Sequence, residues 1–156
     1  GGVILNIKND EELKEKLKEM KRKFPESRFL VETMEEPGLE MIIGLINDKS
    51  FGMTIMLGMG GIFTELYRDV TFRLVPIDKF DALSMIDDLK ASRVFNGFRN
   101  MKPNKDELVS LLLKVSDFAM INMDVVEQLD LNPVFVREND TVVVDAKLIL
   151  SNFQSL

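Results

Sequence analysis

The stretch from Val126 to Leu150 constrains the fold of this chain more than any other part of the sequence. Val134 to Val136 and Thr141 to Val144 are β-branched and aromatic runs, and the polar segment Arg137 to Asp140 separates them. Two such runs joined by a short polar connection are typical of a β-hairpin. The sequence therefore predicts that a hairpin closes the fold.

Each strand of the predicted hairpin carries one side chain with an oxygen ligand, Asn132 on the first strand and Asp145 on the second. Magnesium prefers a few oxygen ligands and usually shares them with water and substrate phosphates. One amide and one carboxylate, together with a nucleotide, would therefore suit a magnesium ion. Polar residues beside a turn more commonly belong to the turn itself. From these two residues alone, both interpretations remain open.

Composition excludes several classes of chemistry. The chain has 156 residues, the size of one domain, and contains no cysteine and no histidine. Disulfides, thiolate metal sites and cysteine nucleophiles are therefore excluded, and any imidazole that the chemistry needs must come from outside this chain. The formal net charge of −6 argues against a nucleic-acid surface, which would be basic. No apolar run approaches the length of a membrane span, so we expect a cytoplasmic protein without membrane contact.

The pattern along the chain predicts an α+β architecture, a mostly antiparallel sheet packed with helices. Capping residues and helical spacing predict three helices, which begin near Asp10, Asp78 and Asn104. Apolar and β-branched runs bounded by turn residues predict the strands 3–7, 28–34, 39–46, 51–57, 62–67 and 68–75. The chain begins at Gly1 without an initiator methionine, so we expect it to be a piece of a longer protein that forms one domain over residues 1–156.

Two further features carry chemistry. Glu40 lies in an otherwise apolar predicted strand, where a carboxylate needs either solvent or a partner, and a sugar diol would be a suitable partner. Gly58, Gly60 and Gly61 allow positive φ and a close approach of backbone or anion. Their spacing matches neither of the two common phosphate-loop motifs, and a tight connection between strands is the simpler interpretation.

Several separate segments together resemble a known family. In order they are the opening Gly1-Gly2-Val3, VETMEEPGLEMIIGLINDKSFG, GMGGIFTELYRDVTFRLVPI, LDLNPV and VVVDAKLIL. These segments are similar to the ATP-grasp portion of nucleoside-diphosphate-forming acyl-CoA synthetases. The resemblance is to the ADP-forming acetate–CoA ligase type, related to succinyl-CoA synthetase β subunits, and covers essentially the whole chain. It implies the C-terminal portion of an ATP-grasp fold, truncated at its N-terminus.

The resemblance also implies roles for particular residues. The adenine hinge of the family falls on residues 32–35, which include Glu32, Met34 and Glu35, and the acid that binds the ribose hydroxyls falls on Glu40. The magnesium ligands fall on Asn132 and Asp145. The cofactors implied are Mg²⁺ and ATP or ADP, in a reaction that converts acyl-CoA, ADP and phosphate into acid, CoA and ATP through an acyl phosphate and a phosphohistidine.

The chain departs from the family in ways that affect this expectation. The phosphate-binding lysine and the phosphohistidine of the family have no counterpart here, and Gln128 replaces an acid. We therefore expect this fragment alone to be inactive and to bind nucleotide weakly or not detectably. The implied partner is a CoA-binding α subunit or a fused domain, in a homo- or hetero-oligomer. Two alternatives remain: a synthetase-like regulatory region of a protein acetyltransferase, and a non-catalytic interaction module.

Overall fold

The computed structural model describes residues 1–61, 69–97 and 102–151. The chain divides into two compact units, Gly1–Glu36 and Pro37–Leu156. Among the described residues, no helix is both long enough and apolar enough to cross a membrane. The predicted strand 62–67 lies outside the described residues.

The first unit contains one helix, α1, at Asp10–Lys23. The side chain of Asn9 accepts a hydrogen bond from the backbone N–H of Glu12, and three acidic residues fill the first turn, where they interact favourably with the helix dipole. The predicted start of this helix near Asp10 is confirmed. No strand is assigned to residues 3–7 or 28–34, because a strand requires a hydrogen-bonded neighbour and the six strands of the described chain pair only with one another. The strand predictions for these two segments are wrong.

The second unit is a sheet of six strands with two α-helices and one short 3-10 helix among its described residues. In chain order the elements are β1 Leu39–Asp48, β2 Gly52–Met59, β3 Val70–Leu74, α2 Lys79–Asp87, the 3-10 helix Ser92–Asn96, α3 Lys105–Ile121, β4 Val126–Val136, β5 Thr141–Val143 and β6 Ala146–Leu150.

All neighbouring strands in this sheet are antiparallel. The order is β3-β2-β1-β4-β5, and β6 also pairs with β4, so that β5 and β6 share one side of the long strand β4. The predicted closing hairpin is therefore present as β4 with β5, and β6 continues it. The mostly antiparallel α+β architecture is confirmed.

One face of the sheet forms the hydrophobic core with α2 and α3. Alternate residues of each strand are buried, as expected when side chains point to opposite faces of the strand. The fully or nearly buried core includes Leu39, Met41, Ile43 and Leu45 of β1, Met53, Ile55, Leu57 and Met59 of β2, Ala82, Met85 and Ile86 of α2, and Leu108, Leu112 and Ala119 of α3.

Asp69 joins the start of β3 to the segment between α2 and the 3-10 helix. Its carboxylate is only 4% exposed and accepts hydrogen bonds from the backbone N–H groups of Lys90 and Ala91, at 2.8 and 2.9 Å. Thr71 adds a second connection, since its hydroxyl donates to the carbonyl of Met85 at 3.0 Å. A buried carboxylate is tolerated here because backbone donors satisfy both of its oxygens.

Asn104 caps α3 and also connects it to the turn after β4. Its side-chain oxygen accepts from the N–H groups of Asp106 and Glu107, as the sequence predicts. A full capping box would require Glu107 to accept the backbone N–H of Asn104. That N–H instead donates to the carbonyl of Arg137 at 2.9 Å. A hydrogen bond to the turn after β4 thus takes the place of the hydrogen bond to Glu107 that a capping box would contain.

Burial predicts how two adjacent isoleucines of β1 contribute to stability. Ile43 is completely buried, whereas Ile42 points to the opposite face and is half-buried. We expect Ile43→Ala to lower the free energy of unfolding by about 2–5 kcal/mol, through lost burial and an added cavity. Ile42→Ala should cost about 1 kcal/mol. Urea denaturation of both variants measures the difference, and equal losses would contradict the assignment of the covered face.

The turn after β4 predicts a shifted titration. Arg137 donates from Nε and Nη2 to the two carboxylate oxygens of Asp140, at 2.6 and 2.7 Å. This hydrogen bonding holds the pKa of Asp140 below its ordinary range. Because the folded-state pKa lies below the unfolded value, the interaction stabilises the fold above the unfolded pKa. The contribution is lost as the pH falls through the folded pKa.

We therefore expect Arg137→Gln to raise the pKa of Asp140 toward the ordinary carboxyl value, as measured by NMR titration. Asp48 is the internal control, because backbone N–H groups of Ser50 and Phe51 lower its pKa without Arg137. The Asp48 titration should not move. An unchanged Asp140 pKa in the variant would show that Arg137 is not the cause.

Candidate functional site

Asn132 on β4 lies opposite Asp145, which lies between β5 and β6. The backbone N–H of Asn132 donates to the carbonyl of Asp145 at 3.0 Å, and the N–H of Val144 donates to the carbonyl of Pro133 at 3.0 Å. The flanking β4 pairs with β5 and β6 keep one common register across this position. The two side chains that the sequence analysis placed on neighbouring strands are thus direct cross-strand neighbours, and both are exposed.

A β-bulge in β4 sets the position of Asn132. The register between β1 and β4 shifts between Met41 and Ile43, so that Asn132 and Pro133 together oppose Ile42. Proline is tolerated in an interior strand at such a bulge because the regular ladder is already interrupted there. Leu131 and Val134 on either side are both buried. The bulge therefore changes the alternation of β4 and leaves Asn132 exposed between two core residues, as bulges near functional sites often do.

Glu40 lies on the same face of the sheet as this pair. It is exposed between the buried residues Leu39 and Met41, and its cross-strand partner on β4 is Phe135. Asn132 follows the buried Leu131, so alternation places it too on the face away from α2 and α3. We call this the open face of the sheet, represented on β1 by Glu40, Ile42, Gly44 and Ile46. Three of the six predicted site residues are thus brought to one face.

Lys147 is a charged residue near Asn132 and Asp145, and its position was not evident from the sequence alone. It lies on β6 as the cross-strand partner of Asp130, two residues after Asp145. The register between β4 and β6 brings the lysine next to the pair Asn132 and Asp145. A signal existed in the sequence, since the hairpin alternation extends through Lys147, but the pairing with Asp130 required the actual register.

The donor set of Asn132 and Asp145 fits a hard divalent cation. An amide and a carboxylate are oxygen ligands of the kind that Mg²⁺ takes, whereas softer metals favour the imidazole and thiolate groups that this chain lacks. Within the described ranges, no group of three or more acidic residues could hold a metal by itself. Two protein oxygens would suffice if nucleotide phosphates and water complete the coordination, which is the usual arrangement for magnesium.

Glu32, Met34 and Glu35 belong to the first unit of the structure. Glu32 and Met34 are exposed and Glu35 is half-buried, in a segment to which no strand is assigned. Their role at an adenine remains a prediction from the resemblance.

Comparisons with known proteins agree with the geometry of the sheet. The ATP-grasp domain family matches residues 1–150. The β subunit of acetate–CoA ligase (ADP-forming) II from Pyrococcus furiosus is 45% identical over 158 aligned residues, which cover 95% of this chain and 67% of that protein. Acetate–CoA ligase (ADP-forming) II from Archaeoglobus fulgidus is 35% identical, covering 96% of this chain and 22% of that protein.

A solved structure is similar to this chain over nearly its whole length. Dinucleotide forming acetyl-coenzyme A synthetase 1 from Ca. Korarchaeum cryptofilum, in complex with coenzyme A and Mg-AMPPCP, superimposes with a TM-score of 0.85 at 36% identity. The match covers 96% of this chain and 68% of that one. The chain therefore spans about two thirds of the Pyrococcus furiosus β subunit and less than a quarter of the Archaeoglobus fulgidus ligase.

These matches confirm the ATP-grasp fold that the sequence predicts. The chain belongs to the ATP-grasp domain family, among the β-subunit portions of the ADP-forming acetate–CoA ligases.

Proposed function

We propose that this chain supplies the nucleotide- and magnesium-binding part of an ADP-forming acyl-CoA synthetase. The complete enzyme would convert acyl-CoA, ADP and phosphate reversibly into acid, CoA and ATP. The observation that carries the proposal is the placement of Asn132 opposite Asp145, with Glu40 on the same open face. Its support is the similarity to acetate–CoA ligases and to a synthetase whose structure contains Mg-AMPPCP.

In this proposal Asn132 and Asp145 hold the cation, and Glu40 accepts hydrogen bonds from the ribose hydroxyls. Magnesium, when bound, would neutralise charge on the phosphate oxygens during phosphoryl transfer. The residues of the chain would contribute position: backbone hydrogen bonds at Asn132 and Asp145 would fix the two metal ligands, and the exposed carboxylate of Glu40 would suit a diol. Phosphoryl transfer depends mainly on such positioning and on electrostatic stabilisation.

Glu32, Met34 and Glu35 are proposed to provide the adenine hinge. This assignment follows the resemblance, in which backbone groups recognise the edge of the purine. Backbone recognition would not depend on the chemical character of these side chains.

The other half of the reaction requires groups from elsewhere. The related synthetase has a phosphohistidine segment that points towards its nucleotide-binding site. The present chain contains no histidine. We therefore propose that an α subunit or a fused domain supplies the phosphohistidine and binds CoA. The acyl specificity would belong to that partner too.

The metal assignment predicts a magnesium-dependent defect. In the full-length protein with its partner, Asp145→Ala should weaken binding of Mg-ADP by about tenfold or more, equivalent to about 1.4 kcal/mol. Calorimetry in the presence of Mg²⁺ and of EDTA measures this effect. The variant should respond little to removal of Mg²⁺, because it has lost a ligand of the ion.

Asp117→Ala is the matched control for this experiment. It removes the same charge from an exposed position on α3, which packs against the opposite face of the sheet. Its affinity for Mg-ADP should equal that of the wild type. If Asp145→Ala retained full affinity and full ATP formation, the metal assignment would be wrong.

The ribose assignment predicts a change in sugar selectivity. We expect Glu40→Ala to weaken ADP binding by about tenfold, because the ribose hydroxyls lose a charged acceptor. Binding of 2′-deoxy-ADP should fall less, since it offers one hydroxyl fewer. Competition binding with the two nucleotides measures the ratio. If the variant preferred ADP as strongly as the wild type does, Glu40 would not contact the ribose.

A further inference from the structure

The glycine turn after β2 packs directly against Glu40. The backbone N–H of Gly60 donates to the carbonyl of Glu40 at 2.8 Å. A Cβ atom at Gly60 would lie 2.9 Å from both the carbonyl carbon and the Cβ of Glu40. Real Cβ atoms essentially never approach so closely, so residue 60 must be glycine for the turn to sit against β1 in this way.

Gly61 contacts the functional end of the same side chain. A Cβ at Gly61 would lie 2.9 Å from Oε2 of Glu40 and 3.3 Å from its Cδ. The φ of Gly61 is +60°, in the left-handed region that glycine adopts most readily. The carboxylate thus occupies space that is open only because residue 61 has no side chain.

We propose that the Gly60–Gly61 turn is a positioning element for Glu40 and sets the direction of its carboxylate on the open face. The inference rests on the proposed function, in which Glu40 binds the ribose, and adds a role for two residues beside it. Gly60 fixes the backbone of Glu40 through a hydrogen bond, and Gly61 leaves open the space that its carboxylate occupies.

The position of Glu40 also argues against a phosphate site at the Gly60–Gly61 turn. The atoms nearest to the missing Cβ positions belong to Glu40 itself. The carboxylate of Glu40, beside the turn, would repel a phosphate bound there. The turn therefore serves a neutral, hydroxyl-bearing part of the ligand through Glu40.

Gly61→Ala tests the proposal in the full-length protein with its partner. The added methyl group should displace the carboxylate of Glu40 and weaken ADP binding by about tenfold. Gly52→Ala is the matched control, because Gly52 also has a positive φ of +81° but nothing lies within 4 Å of its missing Cβ. Both variants should lose similar thermal stability from backbone strain, while Gly52→Ala retains the affinity for ADP.

A purely structural role would affect all nucleotides alike. We expect Gly61→Ala to lose the preference for ADP over 2′-deoxy-ADP, whereas Gly52→Ala keeps it. If Gly61→Ala does not fold, Gly61→Asn is the second variant, since asparagine tolerates positive φ but adds the same Cβ. An unchanged affinity and an unchanged sugar preference in the folded variant would overturn the proposal.

A double-mutant cycle distinguishes this inference from the proposed function. In the Glu40→Ala background, Gly61→Ala should have no further effect on ADP binding, because both changes act through one carboxylate. Additive losses would overturn the positioning role while leaving the ribose role intact. If Glu40→Ala alone has no effect on affinity or sugar preference, the ribose assignment fails, and the positioning role fails with it.

Discussion

The pairing of β4 with strands on both sides is the interaction on which the rest of this structure depends. β4 contacts β1 along one edge and β5 and β6 along the other, so it links the first and last strands of the sheet. Its backbone also sets the site, since the N–H of Asn132 bonds to the carbonyl of Asp145. A regular ladder would continue the strict alternation of β4. The bulge at Asn132 and Pro133 instead places an exposed amide between two core residues, while the shared register keeps Asp145 beside it.

The two faces of the sheet differ in composition and in proposed role. Helices α2 and α3 cover one face, and buried aliphatic side chains there supply most of the hydrophobic stabilisation. The open face carries the polar groups, which can remain hydrated without ligand and contact a ligand when one binds. The side chains of Asp69 and Asn104 connect the sheet with the segment after α2 and the start of α3, through hydrogen bonds to backbone groups. The core residues and the residues of the proposed site are thus different residues of the same strands.

The proposed site supplies only part of what phosphoryl transfer needs, because its side-chain donors are one amide and two carboxylates. In the proposed site the amide of Asn132 and the carboxylates of Asp145 and Glu40 would position a cation and a sugar, whereas the histidine of the proposed phosphoryl relay is absent from this chain. Such a division suits a module that holds the nucleotide while another part of the enzyme brings the reacting group. In its proposed role, the Gly60–Gly61 turn likewise positions Glu40 and adds no reactive atom.

The sequence by itself determined the helices, the antiparallel character of the sheet and the family. Capping residues such as Asn9, Asp78 and Asn104 and the alternation of the hairpin are local signals, readable without tertiary contacts. Only the tertiary structure decided that Asn132 faces Asp145 and that the glycines pack on Glu40, because these facts depend on strand register and on a bulge. It also decided that residues 28–34 form no strand in the described chain, since β pairing needs a partner that local propensity cannot reveal.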